Sequence, residues 1–456
     1  MHNFKRMSKA SCKLWGYLTD VEGHAGFWNG YLSISKVLFR DPESGEVKLR
    51  DNSGFVFGGD SVDKGTYDIR FVKELLNLKK NNPDRVVFLI GNRDANKLRF
   101  HSELHDEFIK NFPVDQTPAY WIPDDKKVSI QQYLQKNNLE DTKINRLKFM
   151  LFETMGSQTT FELRRTELQQ ILNKDDVSDE EVYQSFVTSV DPNHPENIML
   201  QYLKEGQLMF RLGENLFVHG GFAENTLGTV PGEDTIRENV DDWEKELNQW
   251  CSNEYNNFLK QPLFQNFTSI EKRGERGGDY LLDYGVPGGN NNKTVVYSTF
   301  INNGRPVPLS DAVVSYLNKS GIKRVLVGHQ PVGQCPTVIN QDSVQTILAD
   351  TSYCNMAHPD SRGPTVNEVL IDTEDQSVEV HGILNDGQKI HYKISLPSAQ
   401  QNANDPFVGK LLKNNYWVKA KLTETPEDGK NYLGYYGEGF RCFYAWFSPD
   451  EIQSNL

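Results

Sequence analysis

One pattern, repeated five times, restricts the fold more than anything else in this chain. Short apolar runs rich in Val, Leu, Phe and Tyr stop abruptly at glycine or at a residue able to bind metal. "KLWGYLTD" ends at Asp20, "SGFVFGGD" at Asp60 and "RVVFLIGN" at Asn92, while "ENLFVHGG" carries His219 and "RVLVGHQP" carries His329. Runs of this kind, without polar alternation, read as strands buried on both faces. After the second run, "TYDIRFVKELLNLKKN" places Ile69, Val72, Leu75, Leu76 and Leu78 near one helical face. "LSDAVVSYLNKSG" predicts another helix before the last run, capped by Ser310 or Asp311 and ended by Gly321. Strand, helix, strand implies a layered α/β core. In such sheets ligands gather beyond the carboxyl ends of the strands, where all five polar endings fall.

His219 stands 127 positions after Asn92, a gap far longer than the roughly 2–6 residues of a usual connection. The segment is charged and helix-like ("DTKINRLKFMLFETM", "FELRRTELQQILNKDD", "EEVYQSFVTSV"). It reads as an inserted helical subdomain over 101–210, serving as a lid, an arm for a protein partner or simple packing. The expected division is therefore 1–100 for the first half of the core, 101–210 for the insertion and 211–396 for the second half. An aromatic-rich extension at 397–456 follows a linker, "SAQQNANDP". Residues 282–304 are Gly- and Asn-rich and predict a loop over the core. "LNDGQK" predicts a hairpin turn in the second sheet.

With 456 residues the chain can bury a large core. Its net charge of −13 argues against nucleic acid and anionic membranes as partners. No stretch is apolar enough to span a bilayer. The beginning, "MHNFKRMSKASCKLWGYL", lacks the apolar segment of a secretory signal. Five scattered cysteines read as free thiols in a reducing compartment. A cytoplasmic location is expected, a secreted effector without a cleaved signal being the alternative.

Asp20, Glu22, Asp60, Asn92, His219 and His329 are all ligand types for manganese, iron, zinc or magnesium. One carboxylate can bridge two such ions. The ordered motifs "TDVEGH", "GGDSVDKG", "GNRD", "VHGG" and "VGHQP" resemble those of the calcineurin-like metallophosphoesterase superfamily, most nearly its phosphoprotein-phosphatase branch. The resemblance covers residues 12–100 and 211–373. It implies an α/β fold, the four-layer α/β/β/α sandwich of that superfamily, here with a helical insertion and a small C-terminal β-rich extension. It also implies two divalent ions, manganese first among the choices, with iron, zinc or magnesium as alternatives. By position, Asp20 and Glu22 would hold one ion and Asn92, His219 and His329 the other, with Asp60 bridging. A hydroxide between the ions would attack phosphorus in line.

Three residues depart from the pattern. Glu22 stands where the family has His, with His24 as a rival ligand. Lys64 stands where it has a phosphate-binding Arg, keeping the charge but losing the two-pronged fork. Arg93 stands where it has the His that protonates the leaving group. An arginine cannot donate a proton usefully near neutral pH, but it can clamp a phosphate. Arg93, Lys64 and Lys97 are thus expected to bind phosphate, with Asp94 orienting Arg93 or itself acting as the acid. Arg99 would add local positive potential. Asp350 reads as a turn carboxylate or a support for His329, and Arg276 as a further phosphate contact. Loss of the acid matters least for good leaving groups. The expectation is therefore a phosphatase acting on a phosphorylated protein or small molecule, biased toward phosphotyrosine, aryl phosphates or anhydrides. The alternatives are a nucleotide or dinucleoside-polyphosphate hydrolase, and a pseudophosphatase acting as a binding module.

Overall fold

The structure, a computed structural model, describes residues 12–265, 267, 272, 274–341, 343–358, 361–396 and 405–456. Most of the expected linker, and the first eleven residues used in reading the N-terminus, lie outside the described residues.

Two mixed sheets form the centre. In the first, strands run in the order Lys389–Ile394, Val378–Ile383, Val366–Asp372, Leu14–Leu18, Ser53–Phe57, Val86–Leu89, Gly206–Gln207. Leu14–Leu18 pairs parallel with Ser53–Phe57, which pairs parallel with Val86–Leu89, while Val366–Asp372 is antiparallel to Leu14–Leu18. In the second sheet the order is Thr337–Asn340, Gln345–Leu348, Arg324–Val327, Asn215–Val218, Met209–Leu212. Its three middle strands are parallel. All five apolar runs read from the sequence are parallel strands of one sheet or the other, as their two-sided burial requires.

Because side chains alternate along a strand, each sheet offers two apolar faces. Trp15, Tyr17, Val56, Val87 and Leu89 of the first sheet meet Phe210, Phe217, Leu326 and Ile347 of the second in one core cluster. Ring pairs lock this seam, Trp15 to Phe210 at 5.8 Å and Tyr17 to Phe217 at 5.3 Å between centroids. On the outer face of the first sheet, Phe57 packs on Phe71 of helix Asp68–Asn81, and Tyr31 of helix Ala25–Ile34 meets Phe55. On the outer face of the second, Leu216, Val218 and Val325 share a core with Trp243 of helix Val240–Lys260 and Leu317 of helix Asp311–Lys319. The layers are helix, sheet, sheet, helix. Ser310 caps the last of these helices and Gly321, at φ 73°, follows it. The hairpin at Asp386-Gly387 joins two antiparallel strands.

Helices fill the chain between Val86–Leu89 and Gly206–Gln207, among them Lys143–Phe149, Thr160–Leu172 and Asp179–Thr188. They are tied to the core by polar contacts. Glu167, fully buried, accepts from the backbone amides of Ile69 and Arg70, both at 3.0 Å, and so caps helix Asp68–Asn81 from outside. Near the C-terminus, strands Trp417–Lys421, Tyr432–Glu438 and Arg441–Phe447 make a small antiparallel sheet. Its buried Lys419 donates to the carbonyl of Val332 and to Thr337, and Tyr444 accepts from the amide of Gln334. The small sheet therefore braces the loop that follows His329. All five cysteines are free thiols. Among the described residues no helix is long and apolar enough to cross a membrane.

Candidate metal centre

The five polar endings converge. Asp20, Asp60, Asn92, His219 and His329 each follow the carboxyl end of a parallel strand within a few residues. Glycine makes the approach close enough. A Cβ on Gly91 would stand 2.2 Å from Asp60 Oδ1, and one on Gly328 would stand 2.2 Å from Asp20 Oδ2. Asp20, Glu22, Asp60 and His329 all have left-handed backbone, with φ of 52°, 50°, 56° and 69°. Non-glycine residues rarely adopt this region, and each costs of order 1 kcal/mol or more.

One donor set is compact. Ligand atoms of Asp60, His219 and His329 all lie within 4.8 Å of one another. The Asn92 side-chain oxygen sits among them, 2.9 Å from His329 Nδ1 and 3.2 Å from His219 Nε2. His219 Nε2 is 3.4 Å from Asp60 Oδ1. His219 Nδ1 is 2.8 Å from the Gly58 carbonyl, so it carries the proton and Nε2 turns a lone pair toward Asn92 and Asp60. Burial, with His219 and Arg93 nearby, holds His329 well below the usual histidine range, which favours its neutral form. Carboxylate, amide oxygen and imidazole nitrogen turned toward one another are donor types that a divalent cation takes. Donors about 2.1 Å from a shared cation stand about 3.0–3.4 Å apart at octahedral or tetrahedral angles. The observed spacings match, and these four residues fit a metal ion.

The other expected donor set does not fit. Glu22, 4% exposed, is already surrounded by cations. Its Oε1 receives Arg93 Nε at 2.8 Å and Lys64 Nζ at 3.0 Å, and its Oε2 lies 3.5 Å from Arg362 Nη2. The three cations outweigh the cost of burial and hold its carboxyl down at about 2. Arg93 Nε also lies 3.6 Å from Asp60 Oδ2. Asp20 is engaged differently: its carboxylate accepts from Thr19 Oγ1 at 2.5 Å and from the His329 amide at 3.1 Å. Burial and the charge of Asp350 push the Asp20 carboxyl well above the usual range. His24, the rival ligand, caps helix Ala25–Ile34 through the amide of Phe27 at 3.0 Å.

The remaining expected site residues have definite places. Asp94, fully buried, accepts from the amides of Gly91, Asp60 and Ser61 at 2.8–2.9 Å and from Ser61 Oγ at 2.6 Å. Asp94 was expected to orient Arg93 or to donate a proton; the hydrogen bonds its oxygens make shape the Asp60 turn. Lys97 was expected on phosphate. Its ammonium is instead buried on Asp63 Oδ2 at 2.6 Å, with Asn96 at 2.8 Å. Lys64, besides Glu22, donates to Tyr353 Oη at 2.6 Å and lies over that ring. Arg99 pairs with Glu103 inside the protein. Arg276, read from the sequence as a further phosphate contact, is likewise buried, on Asp279, Glu103 and Ser102. Asp350 receives the Ser352 amide at 2.8 Å, as a turn carboxylate does, and its charge acts on Asp20.

Several participants escaped the sequence reading. Arg362, 3% exposed, reaches Glu22 and the Asp20 carbonyl, but in the sequence it is one arginine in a loop. Ser157 of the insertion accepts from Arg93 Nη1 at 2.8 Å. Tyr297, in the predicted Gly/Asn-rich loop, stacks edge-on against His329 at 4.7 Å. Asp63 lay within a quoted motif, and its grip on Arg93, Lys97 and Ser157 is visible only in three dimensions.

No family model matches the sequence, and no curated protein matches it. Solved structures do. The chain is similar, at a distance, to phosphatases. A cold-active protein-tyrosine phosphatase of a psychrophilic Shewanella species shares 13% identity at a TM-score of 0.43, the match covering 83% of this chain and 80% of that one. A protein serine/threonine phosphatase from Saccharomyces cerevisiae shares 11% at 0.33, over 86% and 82%. A metallophosphoesterase from Sphaerobacter thermophilus shares 13% at 0.32, over 81% and 88%. At such identities, what the site can do is set by its own atoms.

Proposed function

We propose that this chain is a metal-dependent phosphatase acting on phosphomonoesters. The observation that supports it most directly is the meeting of Asp60, Asn92, His219 and His329 beside a bank of cations formed by Arg93, Lys64 and Arg362. Asp60, Asn92, His219 and His329 would hold a divalent ion, for which manganese suits this mixture of oxygen and imidazole donors. Such an ion supplies Lewis-acid charge to the phosphoryl group and to an attacking water. The chain's own residues do the rest. Gly58 fixes the His219 tautomer, Asp94 holds the Asp60 turn, and Arg93 and Lys64 add fixed positive charge where phosphoryl oxygens gather.

The position that would carry a general acid holds Arg93, and the adjoining Asp94 faces inward. General acid help is worth about 10²–10⁴ in rate, most of it with poor leaving groups. The substrates best served are therefore phosphotyrosine and other aryl phosphates. The protein should hydrolyse p-nitrophenyl phosphate with manganese, and Asp60→Asn should lose at least about 10²-fold. Matched phosphotyrosine peptides should outrun phosphoserine peptides. Folded protein inactive with manganese, magnesium, iron and zinc would return the chain to the binding-module class. Faster turnover of phosphoserine would remove the leaving-group preference alone.

A further inference from the structure

Beyond a phosphatase site lies the question of how many ions it takes. A second ion would draw on Asp20, Glu22 and the shared Asp60; the Asp20 carboxylate accepts from Thr19 Oγ1 and the His329 amide, and Glu22 and Asp60 are already spanned by a side chain. Arg93 Nε sits 2.8 Å from Glu22 Oε1 and 3.6 Å from Asp60 Oδ2, and its backbone amide donates to Asp60 Oδ1 at 2.9 Å. The guanidinium is held in place on its far side, where Nη1 meets Ser157 Oγ at 2.8 Å and Asp63 Oδ2 at 3.3 Å. Two further cations, Lys64 and Arg362, close on the same Glu22 carboxylate. These groups are built in: Arg93, Lys64 and Arg362 come from three separate segments, and Arg362 is 3% exposed.

We infer that the centre is mononuclear: one divalent ion on Asp60, Asn92, His219 and His329, with the Arg93 guanidinium standing where a second ion would lie. An arginine is permanently charged, planar and able to contact two carboxylates at once, as this one does. A doubly charged ion beside it would meet three fixed positive charges and find Glu22 already paired. In the His-bearing pattern that the motifs resemble, two imidazoles stand at positions 22 and 93. Here a carboxylate and a guanidinium stand there and pair with one another. The two departures are a matched exchange: Arg93 gives Glu22 a charged partner, and Lys64 and Arg362 add two more. The inference rests on the metal-centre reading above.

The full chain, stripped with a chelator and dialysed, is titrated with Mn²⁺, and bound metal is counted by elemental analysis. Wild-type protein should bind one equivalent and give the six-line electron-spin-resonance signal of an isolated ion. His219→Ala should abolish that equivalent and Asp20→Asn should keep it. Arg93→Ala should gain a second, weaker equivalent, with the signal broadened by coupling. Two equivalents on wild-type protein, with a coupled signal, would overturn the inference and leave the phosphatase reading intact. No binding at all would overturn both. A count that stays at one in Arg93→Ala would remove Arg93 as the excluding group. The wild-type count decides the main point even if a variant fails to fold.

Discussion

Asp94 shows how much of the candidate metal centre is carried by a residue outside its donor set. Its carboxylate gathers three backbone amides and a hydroxyl from Gly91, Asp60 and Ser61, so the Asp60 turn is shaped from beneath. Burial and the charge of Asp60 push its carboxyl up to about 6. Asp94→Asn would place amide hydrogens against N–H donors. Such an unsatisfied buried donor costs about 1–3 kcal/mol, and loss of an outer support typically weakens metal binding by about 10–100-fold. Denaturant titration and Mn²⁺ affinity, measured on the same variant, check both. Glu368 makes a second case, away from the chemistry. It accepts from Tyr31 Oη, Ser35 Oγ and the Lys36 amide, and burial pushes it up to about 7. An unfolded glutamate titrates near 4.3. Folding therefore raises this pKa, and the stability it contributes is full below about pH 4 and lost as pH climbs toward 7. The hydroxyls of Tyr31 and Ser35 can turn to accept from an amide. Glu368→Gln should thus gain on wild type by about 1–3 kcal/mol between pH 4 and 8, read from unfolding curves at both ends.

At the scale of elements, the helical insertion reaches the site through polar side chains. Ser157 grips Arg93, Thr160 donates to the Asp63 carbonyl, and Arg164 meets Asp68 at 3.1 Å. Glu167 finishes helix Asp68–Asn81, whose own N-cap, Tyr67, makes no side-chain hydrogen bond to it. Glu167→Ala should therefore cost about 1–2 kcal/mol, the range for a lost cap. Amide exchange should rise first in that helix, while an exposed alanine substitution on helix Thr160–Leu172 should leave it unchanged. The legibility of the elements follows the same physics. The strands were readable because burial on both faces forbids polar residues, and the polar endings stood out against that silence. Helices Asp68–Asn81 and Asp311–Lys319 were readable from spacing and from the capping serine. The contact of Ser157 with Arg93 was not, since it joins residues 64 positions apart and neither spacing nor composition marks it.

For the molecule as a whole, the two sheets bring strand ends from both halves of the chain to one edge, and the sequence order of the endings was enough to anticipate the meeting. What the order could not carry was sign and partner. Glu22 read as a ligand because a carboxylate is one. Only the arrival of Arg362, 340 positions later and from a loop, shows that it has become a counter-ion. Lys97 read as a free cation for the same reason, and Asp63 takes it.

The left-handed turns at Asp20, Glu22, Asp60 and His329 set the functional residues against the durability of the fold. Asparagine tolerates that backbone better than most residues and carries no charge to bury. Asp20→Asn should therefore raise the melting temperature of metal-free protein by an amount equivalent to about 1–2 kcal/mol, measured by calorimetry in chelator. A lineage screened for heat resistance alone would drift toward asparagine at these acidic turns, and the step that replaced Asp60 would forfeit the bound ion.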